Sequence, residues 1–134
     1  MRQVIAFDTN MLVRTVVADH PEQVAIVRRL IAQDTVFVSR TVLMETEWVL
    51  RARYMKTRAE IQAFLAALLE VENTVVEESV AVAHALDWYA QGADFADALH
   101  LAVCGSAMMQ TFDRDFCKAA RDAGLAPEVR VWAV

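Results

Sequence analysis

Short apolar runs alternate along this chain with stretches whose hydrophobic positions recur at helical spacing. Val4-Ile5-Ala6-Phe7 predicts a first strand over residues 3–8, short and fully buried. Residues 10–17 predict a helix, broken by Asp19-His20-Pro21, and Pro21 suits the first position of the next one. Val24, Val27, Leu30 and Ile31 keep helical spacing over residues 22–33. Val36-Phe37-Val38 predicts a second strand, followed by helices over about 41–53 and 57–71, the latter striped by Ile61, Phe64, Leu65 and Leu68. Thr74-Val75-Val76 reads as a third strand, residues 79–90 as a helix closed by Gly92, and 94–106 as the next helix. A fourth strand over 107–112, a helix over 115–123 capped by Gly124, and the alternating Val129-Arg130-Val131-Trp132 complete the pattern.

Short apolar strands separated by helices predict an α/β fold, with a central parallel sheet of four to five strands and helices on both faces. No internal repeat, low-complexity tract or Pro/Gly/Ser-rich linker divides the sequence, so residues 1–134 are expected to form one domain.

Composition narrows the class. Hydrophobic residues make up 57% of the chain against three glycines and two prolines, which excludes disordered and fibrous proteins. No apolar run reaches membrane-spanning length, and Asp8 interrupts the N-terminal run too early for a secretory signal. Two cysteines, Cys104 and Cys117, form neither a disulfide framework nor a zinc motif. A reducing cytoplasm is the expected location. The formal charge of −5 argues against capture of nucleic acid by bulk attraction, although a cation in an acidic cleft would reverse the local field.

Candidate chemistry lies in acids at element boundaries. Asp8 stands where the first strand should open into the crevice beyond the strand ends, Glu45 follows the second strand, and Asp94 and Asp97 sit at a helix start. Asp113 follows the fourth strand. Five acids from four distant segments suggest one acidic site. Hard divalent cations take oxygen ligands, and a two-metal phosphodiesterase needs several carboxylates.

Each acid also has a structural reading. Asp8 and Asp94 are good helix N-caps, and Asp94 with Asp97 resembles a capping box. Glu45 and Glu47 point roughly 160° apart on a helix, so only one can serve. Glu45 lies nearer the helix start, while Glu47 makes a surface pair with Arg51. An Asp97/His100/Cys104 metal site fails on distance, since about 10 Å of helix separates Asp97 from Cys104. Asp113 and Asp115 compete, Asp115 as a cap for a helix beginning at Phe116. Thr111, on the same strand face as Asp113, can hold a carboxylate or a phosphate oxygen. An Asp-nucleophile phosphatase would want an acid at position 10, where Asn10 stands.

Asp8-Thr9-Asn10, Val42-Leu43-Met44-Glu45, Asp94-Phe95-Ala96-Asp97-Ala98-Leu99 and Thr111-Phe112-Asp113, in this order, resemble a PIN domain. More narrowly, the chain resembles the VapC-type ribonuclease toxins of bacterial toxin–antitoxin modules. The resemblance implies metal-dependent hydrolysis of RNA phosphodiester bonds, with Asp8, Glu45, Asp97 and Asp113 as the acidic quartet and Asp94 as an extra acid. Thr9 and Asn10 match the polar pair supporting the first Asp. The resemblance also implies a homodimer held by a cognate antitoxin, an Arg of which would pair with the carboxylates.

The expected activity is therefore an endoribonuclease using Mg2+ or Mn2+. Asp8 and Asp97 bind the ion, Asp94 or Asp113 assist, Glu45 orients or deprotonates water, and Arg14 is a candidate phosphate contact. The alternative is a catalytically inactive regulatory protein that binds nucleic acid or an antitoxin. An intact acidic set favours the enzyme.

Overall fold

A computed structural model describes residues 2–133 and has the α/β organisation expected, with parallel strands joined by helices. The chain divides into two compact units, one ending at Ser79 and the other beginning at Val80.

In the first unit the strands are β1 (Val4–Ala6), β2 (Thr35–Val38) and β3 (Thr74–Val76), hydrogen-bonded in that order and all parallel. Ile5 registers with Val36, and Val38 with Val76. Parallel pairing brings the C-terminal ends of the strands to one edge of the sheet. There β1 leads through Phe7 and Asp8 into α1 (Thr9–Val13), and β2 leads through Ser39 into α3 (Arg40–Ala52). The central strand is the buried one, with Val36 and Val38 in the core, whereas β1 departs from the fully buried strand expected. Val4 is 66% exposed because β1 is the outer strand of this sheet, and only Phe7, just beyond it, is fully buried.

Local chemistry fixes the helices of this unit. Pro21 opens α2 (Pro21–Gln33), His20 caps it, and Val24 and Val27 are its buried stripe. Ser39 accepts from the Val42 amide at 3.2 Å to start α3. Thr57 and Glu60 close a reciprocal capping box at the start of α4 (Arg58–Leu69). Helix α1 is shorter than the expected 10–17. It ends at Val13, and Thr15 turns its hydroxyl back to the Leu12 carbonyl at 2.7 Å.

The second unit holds most of α5 (Ser79–Ala90), then α6 (Phe95–Ala102), β4 (Met109–Thr111), α7 (Lys118–Asp122) and β5 (Val129–Val131). Strands β4 and β5 pair in parallel, Thr111 opposite Val131. Gly92, at φ 108°, makes the tight turn between α5 and α6, and Tyr89 meets Phe95 edge to face at 5.4 Å across it. Helix α7 starts later than expected, since Cys117 adopts a left-handed φ of 49° ahead of it. Its other end is closed by Gly124 as expected, with the Leu125 amide donating to Ala120 at 2.9 Å. Among the described residues no helix is long and apolar enough to cross a membrane.

Candidate active site

Asp8 sits at the junction of β1 and α1. Its backbone is extended, and its carboxylate accepts the Met11 amide at 3.0 Å, so the capping role is real. The next residue, Thr9, is buried and donates its hydroxyl to Glu45 Oε1. Glu45 comes from the second turn of α3, which packs on α1. One Glu45 oxygen is thus tethered beside the end of β1. Asn10 is exposed on the first turn of α1 and shares a cleft of about 170 Å³ with Asp8, Met11 and Arg14.

Glu47 does pair with Arg51, through Nε at 2.8 Å and Nη2 at 3.3 Å. The expectation of a surface pair holds only for the Arg end. Glu47 is just 4% exposed, its charge covered by the guanidinium of the following turn. Arg14 is equally engaged. Its guanidinium pairs with Asp19 and donates to the Tyr54 hydroxyl at 3.1 Å, while Nε is buried without a partner among the described residues. The Tyr54 hydrogen bond, ahead of the Asp19 charge, holds Arg14 above its ordinary pKa.

In the second unit Asp94 caps α6, accepting the Asp97 amide at 3.0 Å. That places two carboxylates in one helical turn, with Asp97 half-buried. Burial raises the Asp97 pKa above the usual carboxylate range, and repulsion from Asp94 and Asp113 adds to it, against a smaller opposing effect of His100. Asp113 is fixed by its own turn. Its amide donates to Thr111 Oγ1 at 3.0 Å, and its Oδ1 accepts the Asp115 amide at 2.8 Å. Thr111 thus positions Asp113, and Asp115 caps no helix because α7 begins only at Lys118.

Sequence reasoning passed over Cys117. It is buried, and its thiol is pushed up to about 11 by that burial and by Asp97, Asp94 and Asp113, with Arg121 opposing. The signal was present in its apolar neighbours Phe116 and Ala120, both buried. Cys104 is a structural thiol that donates to the Leu101 carbonyl at 3.0 Å.

Within neither unit do three His, Cys, Asp or Glu side chains among the described residues form a group able to hold a metal ion. The donors present are carboxylate and hydroxyl oxygens, which suit Mg2+ or Mn2+. Zinc prefers thiolate and imidazole at close spacing. Asp97 gives the clearest sign of fit, because a cation would relieve the repulsion it suffers from its neighbours.

No curated protein matches the chain. A family model does match, described as PIN domain, over residues 5–122. The match extends across both units and includes every acid discussed above. It brings with it a nuclease-type fold, whose members are generally metal-dependent nucleases that bind nucleic acid. The chain belongs to the PIN domain family.

Proposed function

We propose that this protein is an endoribonuclease that hydrolyses RNA phosphodiester bonds with Mg2+ or Mn2+, and that its two units act as one nuclease domain. The observation that carries this reading is the PIN-domain match over residues 5–122, which spans the whole acidic set, and it is supported by Asp97, whose carboxyl is raised by burial first and then by Asp94 and Asp113. The family match across both units supports their joint action.

Asp8 and Asp97 would hold the ion, with Asp94 and Asp113 assisting. A bound divalent cation supplies charge neutralisation at the phosphate undergoing attack. Glu45 orients the attacking water and takes its proton through the carboxylate oxygen that Thr9 does not hold. Thr9 keeps Glu45 in one rotamer, and Thr111 keeps Asp113 in its turn. Asn10 assists at the substrate. The wider role we propose is a toxin of a toxin–antitoxin module, cytoplasmic and homodimeric, restrained by an antitoxin that presents Arg to the acids.

A melting experiment tests the metal reading without relying on turnover. Millimolar Mn2+ is expected to raise the melting temperature of the unchanged protein but not of Asp97→Asn, because only a cation-binding site couples the ion to folding. An equal rise in both, or none in either, would sink it. A second reading, binding without cleavage, draws on the caps at Asp8 and Asp94, which account for two acids without chemistry. Cleavage abolished by Asp8→Asn would exclude it.

A further inference from the structure

The second unit carries a groove of about 660 Å³ lined by Phe112, Arg114, Lys118, Arg121 and Trp132, among others. Its chemistry runs against that of the chain as a whole, whose net charge is −5. Phe112 is 75% exposed and Trp132 45% exposed, an unusual display of aromatic surface for so small a region. The Trp132 ring is held in place, since its Nε1 donates to Gln110 Oε1 at 2.7 Å and the Arg130 guanidinium lies 4.0 Å from its centroid. Arg121 is fixed by donating to the Phe116 carbonyl at 2.6 Å, and Lys118 pairs with Asp122. The Arg114 guanidinium is exposed and has no hydrogen bond or ion pair among the described residues.

We infer that this groove is a base-stacking subsite for single-stranded nucleic acid, an inference that rests on the nuclease reading and specifies where its substrate strand lies. Cations track a phosphate backbone, and exposed aromatic faces stack unpaired bases. An acidic peptide would satisfy the cations and leave the aromatic faces without a stacking partner. A duplex keeps its base faces stacked inside and offers the rings nothing. Phe112 and Arg114 directly flank Asp113, so a base stacked here lies beside an acid of the candidate site.

The test is binding in EDTA, where metal-dependent cleavage is silent, followed by the anisotropy of a short fluorescein-labelled unstructured RNA. The unchanged protein binds it, and single-stranded DNA competes, whereas duplex RNA and polyglutamate do not. Replacing both Phe112→Ala and Arg114→Gln weakens binding about 10- to 100-fold, in line with losing one stacked base and one phosphate contact. Both side chains are exposed, so the fold is retained, which an unchanged melting temperature verifies. Trp132→Ala weakens binding and Trp132→Phe restores most of it, separating stacking from support of β4 and β5. Unchanged binding by the double variant overturns the subsite. Displacement by polyglutamate but not by single-stranded DNA also overturns it, marking the groove as a peptide surface instead. Strong binding with no cleavage in Mn2+ would defeat the nuclease reading while leaving the groove intact. Cleavage by groove variants that bind normally would defeat the groove alone.

Discussion

The carboxylate of Asp8 accepts the Met11 amide and caps α1, and the same group is the proposed metal ligand. One substitution separates these duties. Asn caps a helix about as well as Asp but lacks the charge, so Asp8→Asn should leave the melting temperature nearly unchanged and reduce cleavage by ~100-fold or more. Thr9 offers a subtler probe, since Thr9→Val keeps the shape and removes the hydroxyl that holds Glu45. Loss of a hydrogen bond to a charged group predicts about a 10-fold fall in kcat, with RNA affinity measured in EDTA unaffected. At Asp97 the sign is reversed, because its raised pKa means that the folded protein holds this proton more tightly than the unfolded chain. Its favourable contribution is full below the unfolded pKa and is lost as pH rises through the folded one. At neutral pH without metal, Asp97→Asn should therefore raise the melting temperature in a thermal scan.

The elements themselves were largely legible in the sequence, because periodicity and punctuation agreed. Pro21 marked the start of α2, Gly92 the end of α5 and Gly124 the end of α7. Boundaries failed where a side chain competed with the backbone, as Thr15 does beyond α1, or where a residue took a conformation its type disfavours, as Cys117 does before α7. Helical phase sends Glu45 and Glu47 to different partners, Glu45 to Thr9 and Glu47 to Arg51. Phase says nothing about depth, however, and the burial of Glu47 was invisible from its spacing to Arg51. That burial has a consequence for α3. Arg51 supplies two hydrogen bonds to that buried carboxylate, so Arg51→Met should cost about 2 kcal/mol by denaturant melts. The figure is below that of a fully buried pair because the Arg51 side chain is 48% exposed. The acids were readable as candidates because they stand at or close to element boundaries. The repulsion at Asp97 was not, because it depends on the half-burial of that residue and on the turn that Thr111 gives Asp113.

For the whole molecule, pH and metal are the two variables that act on the site. Glu60, Glu77 and Asp122 are all held below the ordinary carboxylate range, Glu60 and Glu77 by backbone hydrogen bonds from Thr57 and Arg40 and Asp122 by Lys118. Their contributions are present at neutral pH and fade as the medium is acidified. Cys117 sets the opposite limb, its thiol raised from 9.0 to about 11 in the folded protein. Its contribution is complete below the unfolded value and is lost on the way to the folded one, an effect of about 2 kcal/mol across that window. Thermal melts should fall steeply between these two pH values for the unchanged protein and less steeply for Cys117→Ala. Metal-dependent hydrolysis by an acidic set beginning at Asp8 stands or falls on one cleavage assay. Single-stranded RNA is incubated with the unchanged protein and with Asp8→Asn, each in Mn2+ and in EDTA. Cleavage should occur only with the unchanged protein in Mn2+, whereas undiminished products in EDTA or from Asp8→Asn would contradict the account.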